Sequence, residues 1–150
     1  MDIETEAIVQ IESTLKELKI SKNRYIHIIS YIKRMIKDYK GHPIDIIKEI
    51  PLNLKGNERY FAMFITGSYL SPLFYEMDDT EKTKLVTNVA DALKFSDKQV
   101  AIIAEYLSDT IRKQLGENVA TVDVIKKIIN SQFTDAEKDY TIFIFGLVLV

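Results

Sequence analysis

The stretch SKNRYIHIISYIKRMIKDYKG, residues 21–41, has the clearest helical pattern in the chain. Its apolar and aromatic residues recur at steps of three and four, which places them on one face of an α-helix: Tyr25, Ile28, Ile29, Ile32, Met35, Ile36 and Tyr39. Ser21 is a residue type that caps helix N-termini, and Gly41 is one that ends helices. The stretch therefore predicts an amphipathic helix between these two residues.

The segments on either side of this helix are also predicted to be helical. Residues 2–19 carry one apolar stripe and form the predicted first helix. Pro43 suits the first turn of a short helix that runs to Ile50. Pro51 is expected to end that helix, because the residue before a proline avoids helical geometry. Residues 51–57 are then the predicted long connector, with a small hairpin as the alternative.

The region from residue 60 to residue 130 predicts four more helices. The first of them, Tyr60 to Leu70, is rich in aromatic residues and is expected to be largely buried, with a break around Gly67 or before Pro72. The other three run from Asp79 to Lys94, from a capping box of Ser96 and Gln99 to Leu115 before Gly116, and from a Thr121 cap to Asn130.

The final segment, YTIFIFGLVLV at residues 140–150, contains no charged residue. Its β-branched and aromatic residues suit a strand, but Thr134 and Glu137 form a second capping-box pattern before it, which favours a helix. The segment is too short to cross a bilayer. A helix that is apolar on all sides must lie in the centre of the bundle or be covered by another chain, and the central position is favoured here.

Together these segments predict an all-α protein in which residues 1–150 form a single compact bundle of about seven or eight helices with a strongly apolar C-terminal helix. The content of 47% apolar and 28% charged residues is that of a globular domain. The chain has no cysteine, which excludes disulfides, zinc–thiolate sites and thiol nucleophiles. Since the first residues are acidic and no long apolar window occurs, we expect a cytoplasmic protein without a membrane span.

No motif in the sequence predicts a catalytic, cofactor or metal site. The five glycines are too far apart to form a phosphate-binding loop. His27 and His42 lack the spacing of a helical metal-binding pair, although either could serve as the base of a hydrolase. The acidic cluster at residues 76–81 could attract a divalent cation, but its position at a predicted helix start favours a capping role.

Charge is distributed unevenly along the chain, although the net charge is only −2. Residues 16–59 contain eleven Lys or Arg against five Asp or Glu, so this stretch is basic within an acidic protein. The predicted helix at 22–40 carries cations away from its apolar stripe and tyrosines beside them: Lys33, Arg34, Lys37 and Lys40, with Tyr31 and Tyr39. Such interleaving is typical of single-stranded nucleic-acid sites, but a solvated helix face gives the same pattern.

These observations favour a non-enzymatic interaction or assembly protein that contacts a protein partner or a second copy. The predicted contact residues are large apolar side chains, mostly in the final segment: Phe143, Phe145, Leu147 and Leu149, with Tyr69 and Phe74 as weaker candidates. The alternative is a small nucleic-acid-associated subunit of a larger complex that uses the basic helix face at 22–40. A hydrolase around one histidine is the third hypothesis, and no cofactor is predicted in any of them.

Overall fold

The computed structural model describes residues 12–40 and 42–149, and within them every regular element is a helix. The helices are α1 (12–17), α2 (Lys22–Asp38), α3 (Pro43–Asn53), α4 (Gly56–Glu76), α5 (Asp79–Ala92), α6 (Asp97–Glu117), α7 (Thr121–Ile129) and α8 (Asp135–Val148). The prediction of a compact all-α bundle is confirmed. Part of the predicted first helix, residues 2–11, lies outside the described residues, as do Gly41 and Val150.

The predicted helix starts that rest on side-chain caps are largely confirmed. The Ser21 hydroxyl accepts a hydrogen bond from the backbone N–H of Arg24, which satisfies one of the free donors at the start of α2. Both predicted capping boxes are present, one at Ser96 before α6 and one at Thr134 before α8. These starts depend on residues only three positions apart, which explains why the sequence reveals them.

The segment between α3 and α4 differs from its prediction. Pro51 does not end α3, which continues to Asn53, so the predicted long connector over residues 51–57 and the alternative hairpin are both wrong. Proline lacks one N–H, and near the end of a helix that loss removes only a single backbone hydrogen bond. The N–H of Leu54 still donates to the carbonyl of Ile50 at 2.9 Å. Only Leu54 and Lys55 separate the two helices.

Helix α4 is also longer than predicted, because it runs unbroken through Gly67 and Pro72 to Glu76. The predicted break is therefore wrong. Gly67 serves a different purpose, since a Cβ atom there would overlap the carbonyl oxygen of Phe143 and lie 2.8 Å from the backbone nitrogen of Leu147. Glycine at this position allows α8 to approach the α4 backbone directly.

The end of α6 and the start of α7 lie at residues that were not predicted from the sequence. Helix α6 passes through Gly116 and ends at Glu117, where Asn118 adopts the left-handed conformation with a φ of 54°. Asparagine tolerates that conformation better than most residues with a Cβ atom. The N-cap residue of α7 is Ala120, so Thr121 is the first helical residue instead of the predicted cap. The remaining predicted boundaries of α5 and α7 agree within two residues.

The centre of the bundle is the α4–α8 pair, which makes the most extensive helix–helix contact in the described residues. Every residue of α8 from Asp139 to Leu147 is buried. Gly146 meets Gly67 across the contact, and a Cβ atom there would lie 3.2 Å from the backbone nitrogen of Ser68. The final segment is therefore a central helix, as favoured from the sequence. Within the described residues, none of the helices has the length and apolar composition required to cross a membrane.

Candidate functional site

The apolar residues predicted as a partner surface lie mostly inside the chain. Phe143, Phe145 and Leu147 have no exposed side-chain surface, and Phe74 is 7% exposed. The ring of Phe145 lies 6.0 Å from that of Phe64 in α4. These four side chains are therefore buried within the chain and offer little surface to a partner.

Two members of the predicted partner set remain partly accessible. Leu149 is half-buried just after α8, whereas the Tyr69 side chain on α4 is exposed. Tyr69 is therefore a large side chain of the predicted set that is exposed to solvent.

Helices α2 and α4 lie side by side and run in the same direction. The ring of Tyr25 is 6.0 Å from the ring of Phe61, and eight residues further along both helices the amino group of Lys33 lies 5.9 Å from the ring centre of Tyr69. Contacts that advance equally on both helices require parallel axes. The residues midway between these pairs are Ile29 and Ile65, both half-buried.

The accessible lysines and apolar side chains along the contact of these two helices are here named the α2–α4 surface. It consists of Lys22, Ile26, Ile29, Lys33 and Lys37 from α2 and Ile65, Tyr69 and Leu73 from α4. Three of its large apolar side chains are strongly exposed: Ile26 at 61%, Leu73 at 54% and Tyr69 at 41%. Isolated exposed apolar residues are ordinary, but several large ones on adjacent helices are typical of an interaction site.

The lysines of the α2–α4 surface carry uncompensated charge. Within the described ranges 12–40 and 42–149, none of Lys22, Lys33 and Lys37 forms an ion pair. The neighbouring Arg24 is different, because its guanidinium holds the carboxylate of Glu58 with hydrogen bonds of 2.6 to 3.2 Å. The surface therefore combines apolar side chains with a positive potential.

The predicted nucleic-acid residues divide between two sides of α2. Lys33, Arg34, Lys37 and Lys40 are all exposed, as predicted. Lys33 faces α4, whereas Arg34 lies on the α3 side with its guanidinium 5.5 Å from the ring centre of Tyr31. Lys40 follows the end of the helix with a positive φ of 53°. The four cations thus do not converge on one groove.

The two tyrosines of the predicted nucleic-acid site are engaged inside the protein. The hydroxyl groups of Tyr31 and Tyr39 each donate to the carboxylate of Glu49 at 2.9 Å, and Asn53 donates to the Tyr31 hydroxyl. Tyr31 is only 8% exposed, and this burial is the main cause that raises its pKa to about 12. Burial leaves Tyr31 little surface on which a base could stack, and the hydrogen bond of Tyr39 to Glu49 joins α2 to α3.

The histidines do not assemble a catalytic group. His27 lines an open cavity of about 310 Å³ with Tyr31, Arg34 and Glu49, and His42 lines one of about 590 Å³ between α3 and α5. Neither imidazole has a side-chain hydrogen bond within the described residues, so no oriented nucleophile–base pair is present there.

The acidic cluster at residues 76–81 has the predicted capping role. The carboxylate of Asp78 accepts a hydrogen bond from the backbone N–H of Glu81 at 2.8 Å and caps α5. In the part of the chain that the structure describes, no group of three or more His, Asp or Glu side chains is placed to hold a metal ion.

Five residues of the α2–α4 surface were not predicted as site residues from the sequence: Lys22, Ile26, Ile29, Ile65 and Leu73. Of the two strongly exposed aliphatic side chains among them, one had a visible signal. Ile26 interrupts the basic face of α2, since it lies four residues after Lys22 and seven before Lys33. Leu73 had none, because the sequence does not reveal which helix lies beside α4. No family model, curated protein or solved structure matches the chain.

Proposed function

We propose that this chain is a non-enzymatic interaction or assembly protein and that the α2–α4 surface is its contact site. The observation that carries the proposal is the exposure of Ile26, Tyr69 and Leu73 on two adjacent parallel helices. Full burial of one such side chain contributes about 1.5–3 kcal/mol, so a partner that covers all three gains substantial affinity. We also propose that the protein acts in the cytoplasm, as expected from the sequence.

The arrangement of this surface has the composition of protein interfaces. An aromatic residue stands near its centre, and aliphatic and charged side chains surround it. Interfaces are enriched in tyrosine, and a few such anchors dominate the binding energy. Tyr69 fits this role because its side chain is 41% exposed and the amino group of Lys33 lies 5.9 Å from its ring centre.

Site-specific photo-crosslinking in the cells that produce the protein tests this proposal. A photoreactive phenylalanine analogue replaces Tyr69 in one variant and Leu115, an exposed apolar residue of α6 outside the surface, in the matched control. We expect a discrete protease-sensitive adduct from position 69 that position 115 does not form. Identical adduct patterns at both positions, or none at position 69, would contradict the proposal. An adduct of twice the chain mass identifies a second copy as the partner.

A nucleic-acid-associated subunit is the second candidate function, and one contact favours it. Tyr69 offers an exposed ring beside an unpaired lysine, which is the combination that single-stranded sites use, although it is a different tyrosine from those predicted. Anisotropy titrations with labelled single-stranded and duplex DNA and RNA at two salt concentrations test this function. Binding that weakens steeply with salt and is lost when Lys33, Arg34, Lys37 and Lys40 are reversed to Glu supports it, and binding that survives the reversal excludes it.

A further inference from the structure

We infer that the cavity between α2 and α3 binds a small zwitterion, namely an α-amino acid with a short side chain. A guanidinium and a carboxylate line this cavity without forming an ion pair, and a molecule that carries both an ammonium group and a carboxylate would satisfy them together. The inference goes beyond the proposed function, because it concerns a small ligand and shares no residue with the α2–α4 surface.

The cavity collects polar side chains from both helices. It has a volume of about 310 Å³ and is lined by residues of α2, of α3 and of the position that follows α3: His27, Tyr31, Arg34, Glu49, Asn53 and Leu54. The three residues from α2 follow one another at steps of four and three, so they share one face of that helix. Glu49 and Asn53 are four residues apart and share one face of α3. Both helices therefore turn hydrogen-bonding groups toward the same space.

The protein does not compensate the two charges in this cavity. Within residues 12–40 and 42–149, neither Arg34 nor Glu49 forms an ion pair. Both nevertheless act on Tyr31: burial raises the pKa of Tyr31 to about 12, and of the two charges Glu49 raises that pKa while Arg34 lowers it. A half-buried carboxylate and a guanidinium that lie near one side chain but do not meet leave a place for a ligand that pairs with both.

Glu49 and Asn53 form the end of the site that accepts an ammonium group. One carboxylate oxygen of Glu49 accepts from the hydroxyl of Tyr31 and the other from that of Tyr39, both at 2.9 Å, which fixes the carboxylate in place. A carboxylate has about four acceptor positions, so about two remain for a ligand. Asn53 donates through its amide nitrogen to the Tyr31 hydroxyl, and its amide oxygen has no hydrogen bond within the described residues.

Arg34 forms the end of the site that binds a carboxylate. Its guanidinium lies 5.5 Å from the ring centre of Tyr31, and this cation–π contact keeps the exposed side chain beside the cavity. A planar guanidinium binds a carboxylate through two parallel hydrogen bonds. His27 lines the same cavity one turn before Tyr31, and its imidazole N–H can donate to the same carboxylate.

The size and the charges of the cavity restrict its ligand. Ligand sites have volumes of about 300–1,000 Å³, so this cavity suits a small molecule. A simple anion would be repelled by Glu49 and a simple cation by Arg34, whereas a zwitterion meets an opposite charge at each end. Leu54 is only 4% exposed and offers little apolar contact, so a short side chain fits better than a long apolar one.

A heteronuclear NMR titration of the intact chain with glycine, L-alanine and L-serine tests the inference. Propionate and ethylammonium are the reference probes, because each retains one charged group of alanine and lacks the other. The signals that report on the cavity are the side-chain amide of Asn53 and the backbone amides of Arg34 and Leu54. The test variant is Arg34→Gln. The matched control is Arg112→Gln, which removes an exposed arginine of α6 and gives the same net charge.

The expected result is a saturable shift of these signals by at least one of the amino acids, with a millimolar or lower dissociation constant. Each reference probe should bind about tenfold more weakly or not at all, because it pairs with only one of the two charges. Arg34→Gln should weaken amino-acid binding about tenfold or more, since it removes hydrogen bonds between charged groups. Arg112→Gln should leave binding within about twofold of the original protein. Circular dichroism verifies that each variant is folded.

Several results would overturn the inference. If none of the three amino acids shifts the signals at tens of millimolar, the cavity is not a site for this class of ligand. Propionate that binds as tightly as alanine would identify a site for anions alone, and ethylammonium that does so would identify a site for cations alone. Equal weakening by the two arginine variants would indicate attraction by net charge. The crosslinking experiment at position 69 is independent of all these results, so failure here leaves the interaction function in place.

Discussion

A guanidinium and a carboxylate meet in the interior where the first turn of α4 lies beside α8. Arg59 donates three hydrogen bonds to Asp139, whose side chain is 4% exposed, while that of Arg59 is 20% exposed. Next to this pair, the hydroxyl of Tyr60 donates to Asp135 at 3.2 Å. Burial raises the pKa of Asp139 more than the partnership with Arg59 lowers it.

The raised pKa of Asp139 determines how loss of Arg59 should depend on pH. Folding shifts Asp139 toward its protonated form relative to the unfolded chain, so ionisation of this group reduces stability as the pH rises above the ordinary aspartate range. Arg59→Met removes the compensation for the charged form and should lower the free energy of unfolding by about 3 kcal/mol at neutral pH. The loss should shrink in mildly acidic solution, where Asp139 takes up a proton. Urea titrations across this pH range measure both values.

Arg24→Met provides the comparison for that experiment, because Arg24 forms a similar bidentate pair with Glu58 at the surface. Water screens and solvates both groups there, so the variant should lose far less stability than Arg59→Met. Equal losses in the two variants, or a loss in Arg59→Met that does not change with pH, would contradict the role assigned to the buried pair.

Helix α8 depends on its first turn for a defined start, since most of the rest of it is uniformly apolar. The Thr134 hydroxyl accepts from the backbone N–H of Glu137, and the Glu137 carboxylate accepts from the backbone N–H of Thr134 at 2.8 Å. That backbone hydrogen bond is the main cause that lowers the pKa of Glu137. The contribution of the carboxylate is therefore present above the ordinary glutamate pKa and is lost as the pH falls through the lowered one.

Removal of this cap should destabilise the protein measurably. We expect Thr134→Ala to lower the free energy of unfolding by about 1 kcal/mol, because it leaves a backbone donor of α8 without its partner. Thr121→Ala is the control: Thr121 resembles a cap in the sequence but is the first residue of α7, so its replacement should cost about 0.5 kcal/mol or less. Chemical denaturation of the two variants compares them, and a larger loss at Thr121 would show that the cap assignment is incorrect.

The sequence predicts helix starts better than helix ends and interruptions. The capping boxes at Ser96 and Thr134 were recognisable because their partners are three residues apart. Pro51 and Gly67 were misinterpreted as breaks, since the sequence does not reveal that one lies in a final turn and the other against a neighbouring backbone. The left-handed residue that ends α6 is Asn118 and not Gly116. Both residue types suit that conformation, so local preference does not decide between them.

The candidate site was predictable only to the extent that it lies on one helix. The exposed cations of α2 follow from its periodicity, and the structure retains them on the surface. A hydrogen bond to Glu49 holds the Tyr31 side chain inside the protein, and packing within the bundle buries Phe143. Neither contact could be inferred from the sequence, because each depends on which helices become neighbours. For the same reason the proximity of Lys33 and Tyr69 was not predicted.

The fold as a whole depends on the close crossing of α4 and α8. At Gly67 and Gly146 the two backbones touch, so any added side chain would meet backbone atoms that cannot move independently of their helices. Because α8 occupies the centre of the bundle, separation of this pair would disturb the core as a unit.

Alanine substitution at the crossing should therefore weaken the entire structure. We expect Gly67→Ala and Gly146→Ala each to lower the free energy of unfolding by about 3 kcal/mol or more. Gly116→Ala is the matched control, since nothing lies near its Cβ position and alanine favours a helix, so stability should rise by about 0.5–1 kcal/mol. Thermal unfolding monitored by circular dichroism measures all three. A stable Gly67→Ala protein would contradict the close approach of the two helices.

The α4–α8 crossing also has a consequence for the order in which the protein is made. Arg59 and its partner Asp139 are 80 residues apart, so the first turn of α4 leaves the ribosome long before α8 exists. At a synthesis rate of about 5–20 residues per second, the interval is roughly 4–16 s. During that time the residues of α4 that pack against α8 in the folded protein have no α8 to cover them. Such a chain is a natural client for the chaperones that shield emerging polypeptides, and premature termination before α8 would release a product without its central helix.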